Sequence, residues 1–318
     1  MTAPKLSIII PCYFNGDNLP HTWAALKANE AKFSQPLQFE YVFVDDGSGD
    51  HTYAELEKIY QQAPYQVKVI KLAGNVGAFN AMFAGLEHAT GQANVFIMAD
   101  LQDPPELMVT MLEYWQKGMR VVIANRNDRQ EQGLARWYSE TFHRMVKKYA
   151  LKQVPPGGFD YVLFDEVVRA EILRIREPNT NIFYLISWLN FPYASIPYVR
   201  QKRDVGKSKW TFKKKIKAFI DTFVGFSFAP IRLITITGGI LGIIAFITTL
   251  VIAVARIAGW IEAPGWSSLM VVLLFVSALQ MIALGIVGEY VWRNLDATRN
   301  RPLYVADKKL LPPGEKGD

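Results

Sequence analysis

A chain of 318 residues, 50% of them hydrophobic, is long enough for one large domain or for one domain with an appendage. Its one cysteine, Cys12, excludes an intrachain disulfide and a zinc cluster held by cysteines. The net charge of +6 is concentrated beside long apolar segments. That placement indicates attraction to anionic lipid and argues against a nucleic-acid partner.

The first 210 residues predict an α/β domain. Five short runs rich in valine and isoleucine have the composition of buried strands. They are Leu6–Ile10, Tyr41–Val44, Val67–Leu72, Asn94–Ala99 and Arg120–Ala124. Helix-length segments separate them, at about Asn18–Ala31, Tyr53–Gln62, Gly77–Ala89 and Pro105–Gln116. This alternation predicts a mostly parallel, Rossmann-like sheet with helices on both faces.

Polar residues follow several predicted strands, at the edge where open parallel sheets bind ligands. Asp45 and Asp46 follow the second strand, Asp100 follows the fourth and Arg126 follows the fifth. Turn chemistry explains any one of them, but their common edge predicts a binding site. The sequence has no G-x-G-x-x-G after the first strand and no Walker A motif, which argues against a dinucleotide site and a P-loop NTPase.

Two long apolar segments predict a transmembrane hairpin within residues 230–292. We expect helices at about 231–255 and 267–288, because spanning a bilayer takes about 20 apolar residues. A buried core hairpin is the alternative, and two uninterrupted segments of this length argue against it. Residues 293–318 are predicted to form a C-terminal tail.

Basic residues flank the predicted spans and set the expected topology. Nine lysines and arginines lie between Arg200 and Lys217, before the first span, and more follow the second. We expect both termini and the catalytic domain to be cytosolic in a multi-pass inner-membrane protein. Because Met1–Lys5 runs directly into a strand, no secretory leader is expected.

The segment 211–229 combines the basic run Lys213–Lys217 with apolar residues at helical spacing. It predicts an amphipathic helix that lies along the membrane surface next to the first span. The alternative is that its apolar face packs on the catalytic domain.

Motifs along nearly the whole chain resemble those of family 2 glycosyltransferases, which have the GT-A fold. They are IIIPCYFNGDNL, VFVDDGSGD, NVGAFNAMFAGLEHATG, ADLQDPPE, ANR, GGFDYVLFD and RDVGKSKWTF. Together with the paired apolar segments, they most resemble the branch that glycosylates polyprenyl phosphates, which includes dolichyl-phosphate mannose synthases and bactoprenol glucosyltransferases. ADLQDPP combined with GKSKW and two spans is the most specific part of the match.

The resemblance implies a nucleotide-sugar site with a divalent cation, Mg²⁺ or Mn²⁺. The implied nucleotide-binding residues are Pro11, Tyr13, Asn15, Asp45, Asp46, Asn75 and Ala99. The implied metal ligands are Asp100 and Gln102, because hard cations bind oxygen and bridge phosphates. Two positions depart from the family. Met98 stands where the metal motif has its first aspartate, and a thioether is a poor ligand for a hard cation. Phe14 and Asn15 stand where the family usually has asparagine and glutamate.

The resemblance also implies the catalytic groups. They are Asp100, Asp160, Arg126, Arg136, Ser139, Arg203 and Lys209. The arginines and the lysine would neutralise the phosphates that meet in the site. Asp160 would orient the acceptor phosphate or act as a base.

The resulting hypothesis is an inverting hexosyltransferase that moves one sugar from a nucleotide-diphosphate donor to polyprenyl phosphate at the cytoplasmic membrane face. UDP-glucose is the first expected donor and GDP-mannose the second, and a homo-oligomer is plausible by resemblance. One alternative is a processive polysaccharide synthase, which two spans and the absence of a Q-x-x-R-W motif disfavour. The other is a catalytically degenerate lipid-binding or partner-binding scaffold, suggested by Met98.

Overall fold

The computed structural model describes residues 3–126, 141, 144–155, 158–199, 212–258 and 265–315. The chain forms two compact units. The first joins Met1–Ile216 to Pro302–Asp318, and the second is Lys217–Arg301.

The first unit contains a sheet whose strands are β1 (Lys5–Cys12), β2 (Gln38–Asp45), β3 (Val67–Leu72), β4 (Ala93–Phe96), β5 (Val121–Arg126), β6 (Tyr161–Asp165), β7 (Tyr193–Tyr198) and β8 (Ala306–Leu310). Its labelled helices are α1 (Leu19–Glu30), α2 (Thr52–Gln62), α3 (Ala78–His88), α4 (Leu107–Gln116), α5 (Glu166–Arg174) and α6 (Ile182–Trp188). The five predicted strands and four predicted helices are all confirmed. Only β4 is clearly shorter than expected, ending at Phe96 instead of Ala99.

The strand order is β7-β5-β6-β4-β1-β2-β3-β8. Parallel pairs join β1 to β2 and β4, β2 to β3, and β5 to β7. β6 and β8 run antiparallel to their neighbours. The predicted, mostly parallel α/β fold is therefore confirmed, and the carboxyl ends of the parallel strands meet at one edge.

Helices cover both faces of the sheet. Side chains along each strand alternate between the faces, so each strand contributes to two cores. On β1, Ile8 and Ile10 pack in a core cluster that includes residues of α1, α2 and α4, and Ile9 packs in a second cluster that includes residues of α3, α5 and α6. Cys12 is fully buried in the first cluster, and burial raises the pKa of its thiol. A buried thiol that keeps its proton is unreactive.

Three helices follow β7 along the chain: α7 (Phe212–Phe226), α8 (Ala229–Ile257) and α9 (Trp266–Thr298). The second unit holds α8, α9 and the part of α7 from Lys217 onwards. Ala229–Ile252 and Phe275–Thr298 are long and apolar enough to cross a membrane, and their apolar side chains are largely exposed. These segments confirm two C-terminal apolar helices. The basic segment also forms a helix, as predicted.

Polar contacts within the second unit fix α7 against α9. Arg293 on α9 lies 2.6 Å from Asp221 Oδ1 on α7 and 3.0 Å from Glu289 Oε1. The Tyr290 hydroxyl donates to the Ser227 carbonyl oxygen at 3.0 Å. The start of α8 therefore lies beside the end of α9, as in an antiparallel helix pair.

Within the predicted tail, the structure contains the end of α9 and the strand β8. β8 pairs with β3 and covers that edge of the sheet. The Tyr60 hydroxyl donates to the Leu311 carbonyl oxygen at 2.6 Å. Lys68, whose side chain is 2% exposed, lies 3.1 Å from Glu40 and also pairs with Glu315. The chain that follows the apolar helices is thus built into the first unit.

Candidate active site

The loop after β1 is held by the loop after β2. The Phe14 amide donates to Ser48 Oγ at 3.0 Å, and the Asn15 amide donates to Thr52 Oγ1 at 2.9 Å. Asn15 Oδ1 accepts from the Tyr13 amide at 2.7 Å. Phe14 has a positive φ of 54° and its ring packs edge-on against Tyr13. The rings of Tyr13 and Phe14 therefore lie at the sheet edge, beside the predicted nucleotide residues. Pro11, near the end of β1, is buried.

Asp45 and Asp46 have different surroundings although they are adjacent. Asp46 accepts from the amides of Val76 at 2.7 Å and Gly77 at 3.1 Å, and from the Asn75 side chain at 2.9 Å. The Asp46 carboxylate therefore holds the loop between β3 and α3. Gly47 faces this loop with a φ of 65°, and a Cβ there would lie 2.5 Å from the Gly74 carbonyl carbon.

Only one of the two carboxylate oxygens of Asp45 has a hydrogen-bond partner among the described residues. Its Oδ1 accepts from the Ser48 amide at 3.0 Å, whereas its buried Oδ2 has no hydrogen-bond partner in the part of the chain that the structure describes. Burial raises the pKa of this carboxyl, opposed by the hydrogen bonds from Ser48. An unsatisfied buried acceptor costs free energy unless a ligand donates to it. Of the two aspartates, only Asp45 has a buried carboxylate oxygen without a hydrogen bond among the described residues.

The segment after β4 carries the predicted metal ligands. Ala99 is buried, and its carbonyl oxygen accepts from Thr22 Oγ1 of α1 at 2.8 Å. Asp100 and Gln102 are half-buried, and the Gln102 amide lies 3.3 Å from Asp100 Oδ1. Met98 is partly buried against the apolar core.

These residues fit a hard divalent cation that also binds phosphate. Asp100 and Gln102 offer a carboxylate and an amide oxygen, and Mg²⁺ sites in proteins commonly use one or two carboxylates together with substrate phosphates. In the described ranges, no group of three or more histidine, cysteine, aspartate or glutamate residues is arranged to hold a metal by itself. A cation held by Asp100 and Gln102 would need further ligands, which the oxygens of a bound diphosphate would supply.

A polar network beside this segment joins the ends of β5 and β7 to the residue before β6 and to the loop after β4. Arg126 at the end of β5 forms an ion pair with Asp160, just before β6. The Arg126 Nε atom also lies 3.4 Å from the Tyr198 hydroxyl, which donates to Asp103 Oδ1 at 2.6 Å. Burial and the Asp103 carboxylate raise the pKa of Tyr198 to about 12, so this hydroxyl keeps its proton.

The model of the glycosyl transferase family 2 domain matches residues 7–174, more than half of the chain. The chain belongs to glycosyl transferase family 2. This domain contains β1 to α5 and hence Asp45, Asp100, Arg126 and Asp160.

Full-length relatives of this family 2 glycosyltransferase show the same similarity. An uncharacterized glycosyltransferase of Synechocystis sp. is 32% identical over 302 residues, which are 95% of this chain and 94% of the relative. The bactoprenol glucosyl transferase of Shigella phage SfII is 30% identical over 305 residues, 96% of this chain and 98% of the relative. Among solved structures, mannosyl-3-phosphoglycerate synthase from Rubrobacter xylanophilus has a TM-score of 0.50 at 15% identity, covering 84% of this chain and 80% of that chain. This structural likeness supports the GT-A fold.

The structure brings together only part of the predicted site of this glycosyltransferase. Asp100 and Gln102 lie in one loop, Arg126 pairs with Asp160, and Asp46 binds Asn75. The predicted basic and hydroxyl groups from the remaining motifs, Arg136, Ser139, Arg203 and Lys209, lie outside the described residues.

Sequence reasoning missed Tyr198 and the role of Asp103. Tyr198 lies beside Arg126 because the parallel pairing of β5 and β7 sets these two residues in register. The sequence around Tyr198 alternates like an ordinary strand and gives no sign of a partner that lies 95 positions away.

Proposed function

We propose that this glycosyltransferase transfers one sugar from a nucleotide-diphosphate sugar to a polyprenyl phosphate at the cytoplasmic membrane face. The observation that carries the proposal is the similarity to a bactoprenol glucosyl transferase over 98% of that relative, apolar helices included. UDP-glucose is the first donor to test and GDP-mannose the second.

The donor would bind along the edge formed by the loops after β1, β2 and β4. Tyr13, Asn15 and Asp45 would hold the base and ribose, with Asp45 Oδ2 accepting a hydrogen bond. Asp46 and Asn75 would act by holding the loop before α3, whose backbone borders the same edge. Asp100 and Gln102 would hold Mg²⁺ or Mn²⁺, which when bound neutralises charge on the leaving diphosphate.

The acceptor side would be formed by Arg126 and Asp160 with the predicted basic residues Arg136, Arg203 and Lys209. An oxygen of the lipid phosphate bonds to the anomeric carbon of the sugar as the bond from that carbon to the diphosphate breaks. A phosphate monoester is largely ionised near neutral pH, so it needs little help from a base. Asp160, paired with Arg126, would therefore serve mainly to orient that arginine towards phosphate.

The test is a product assay with the purified full-length protein in lipid nanodiscs. Undecaprenyl phosphate is supplied with radiolabelled UDP-glucose or GDP-mannose and with Mn²⁺ or Mg²⁺. The expected product is a lipid carrying one sugar for each phosphate. A polymeric product would favour the processive synthase, and donor-dependent heat stabilisation without turnover would favour the scaffold. Either result would overturn the proposal.

We also propose that α8 and α9 cross the membrane, with both ends of the chain in the cytosol. β8 pairs with β3, so the chain before α8 and the chain after α9 lie on the same side of any membrane. Two crossings meet that requirement, and the basic flanks favour the cytosol. Reporter fusions at residue 261 and at the C terminus should report opposite sides. A C terminus found outside would contradict this topology.

A further inference from the structure

The two sides of the candidate site are joined through one hydroxyl group. Arg126 and Tyr198 are the last residues of the parallel neighbours β5 and β7, and they pair directly in register. Side chains of paired residues on neighbouring strands project from the same face of the sheet. The register thus places the Tyr198 hydroxyl between Arg126 and the loop that follows β4.

Both partners of this hydroxyl belong to chemically important segments. It donates to Asp103 at 2.6 Å, next to the predicted metal ligand Gln102, and lies 3.4 Å from Nε of Arg126. Arg126 in turn pairs with Asp160. Tyr198 and Asp103 are 5% and 1% exposed, so water does not readily replace the bond between them. A buried carboxylate requires such donors.

The hydroxyl is separable from the packing of its ring. The Tyr198 ring belongs to the apolar core and contacts Tyr161 edge-on, with ring centroids 6.3 Å apart. Phenylalanine would keep those contacts and lose only the bridge. Hence the contribution of the hydroxyl can be measured alone.

We propose that Tyr198 is a positioning residue that joins the Asp100–Asp103 loop on the donor side to the Arg126–Asp160 pair on the acceptor side. This inference rests on the proposed function for the roles of the two sides. The bridge keeps the arginine and the loop at a fixed separation while the sugar passes between the two phosphates. Small misplacements of groups that stabilise a transition state lower the rate strongly.

The test compares Tyr198→Phe with Tyr161→Phe. The Tyr161 hydroxyl is also buried beside this loop, where it donates to the Pro104 carbonyl oxygen at 3.2 Å. It is a matched control, because the same atom is removed without a link to Arg126. Tyr198→Phe should lower kcat by about tenfold or more while the donor KM changes by less than about threefold, since the loss falls on the transition state. Tyr161→Phe should keep kcat within about threefold of wild type at a similar loss of thermal stability.

Hydrogen exchange gives a readout that does not depend on turnover. The amides of residues 100–103 should exchange faster in Tyr198→Phe than in the wild type. If Tyr198→Phe does not fold, Asp103→Leu removes the acceptor of the same hydrogen bond and should lower kcat. Asp103→Asn keeps an oxygen acceptor and should retain most of the wild-type kcat. In the double variant Tyr198→Phe with Asp103→Leu, kcat should fall no further than in the worse single variant.

Unchanged exchange in the loop, or a kcat for Tyr198→Phe no lower than for Tyr161→Phe, would overturn the positioning role. Failure of the proposed function is distinct, because the wild-type protein would then glycosylate no lipid phosphate whatever the exchange shows.

Discussion

Two edges of one sheet are used in different ways. The carboxyl edge carries Asp45 at the end of β2, Asp100 after β4 and Arg126 at the end of β5. Asp100 and Arg126 are half-buried, and Asp45 Oδ2 has no hydrogen-bond partner among the described residues. At the lateral edge, β8 pairs with β3, and Lys68 of β3 forms ion pairs with Glu40 and Glu315. The first edge carries the groups proposed to bind the ligand, whereas the second holds the chain that follows the apolar helices. We call the first the catalytic edge, after its proposed role, and the second the anchoring edge.

Asp100→Ala tests the catalytic edge and should have the largest effect. Removing the only carboxylate among the proposed metal ligands should lower transfer by about 100-fold or more, equal to about 2.7 kcal/mol of transition-state stabilisation. Glu113→Gln, an exposed substitution on α4, is the control and should change the rate by less than about twofold. Comparable rates for the two variants would remove Asp100 from the site.

Lys68→Met tests the anchoring edge. It leaves the buried Glu40 carboxylate and Glu315 without their cation, and breaking a buried ion pair typically costs about 3–5 kcal/mol. We expect a clear drop in the thermal midpoint and faster trypsin cleavage within residues 302–315. Lys58→Met removes an exposed lysine paired with Glu55 on α2 and should change neither measurement. Equal stability of the two variants would show that the lysine cluster does not hold the tail.

The sequence predicts the catalytic edge far better than the anchoring edge. Parallel strands are marked by short apolar runs, and Asp45, Asp100 and Arg126 follow them directly, so their common edge follows from the chain order. The β8 sequence Ala-Asp-Lys-Lys-Leu has no strand-like apolar alternation. Leu311 and Glu315, just after β8, contact Tyr60 and Lys68, which lie more than 240 positions earlier.

The sequence also does not reveal that adjacent residues have different hydrogen-bond partners. Asp45 and Asp46 were both predicted to bind the nucleotide, and only the structure shows that Asp46 accepts three hydrogen bonds from the loop before α3. Tyr198 depends on strand register, which no local pattern reveals. The roles of Arg126 and Asp160 remain predictions from the resemblance, and the structure shows that the two side chains form an ion pair.

A smaller effect, on the pH dependence of thermal stability, is expected beside the anchoring edge. Burial, with Lys309 and Lys68 nearby, lowers the pKa of His88 below its ordinary 6.5. The folded state favours neutral His88, so the stability it contributes is present above about pH 6.5 and is lost as the pH falls below that value. The wild type should therefore lose more thermal stability than His88→Gln between pH 7.5 and 5.5. Parallel losses in both proteins would exclude His88 as the cause.

The most direct test of the central claim measures the linkage between metal and donor at the catalytic edge. Asp100 and Gln102 make an incomplete site, so Mn²⁺ alone should bind poorly, while Mn²⁺ and a UDP or GDP sugar should improve each other's affinity by the same factor. Met98→Asp should raise the affinity for Mn²⁺, and Asp100→Ala should abolish metal-dependent donor binding. Calorimetric titration of Mn²⁺ with and without each donor measures these affinities in the wild type and in both variants. Tight Mn²⁺ binding to the donor-free wild type, or unchanged donor binding in Asp100→Ala, would contradict the account.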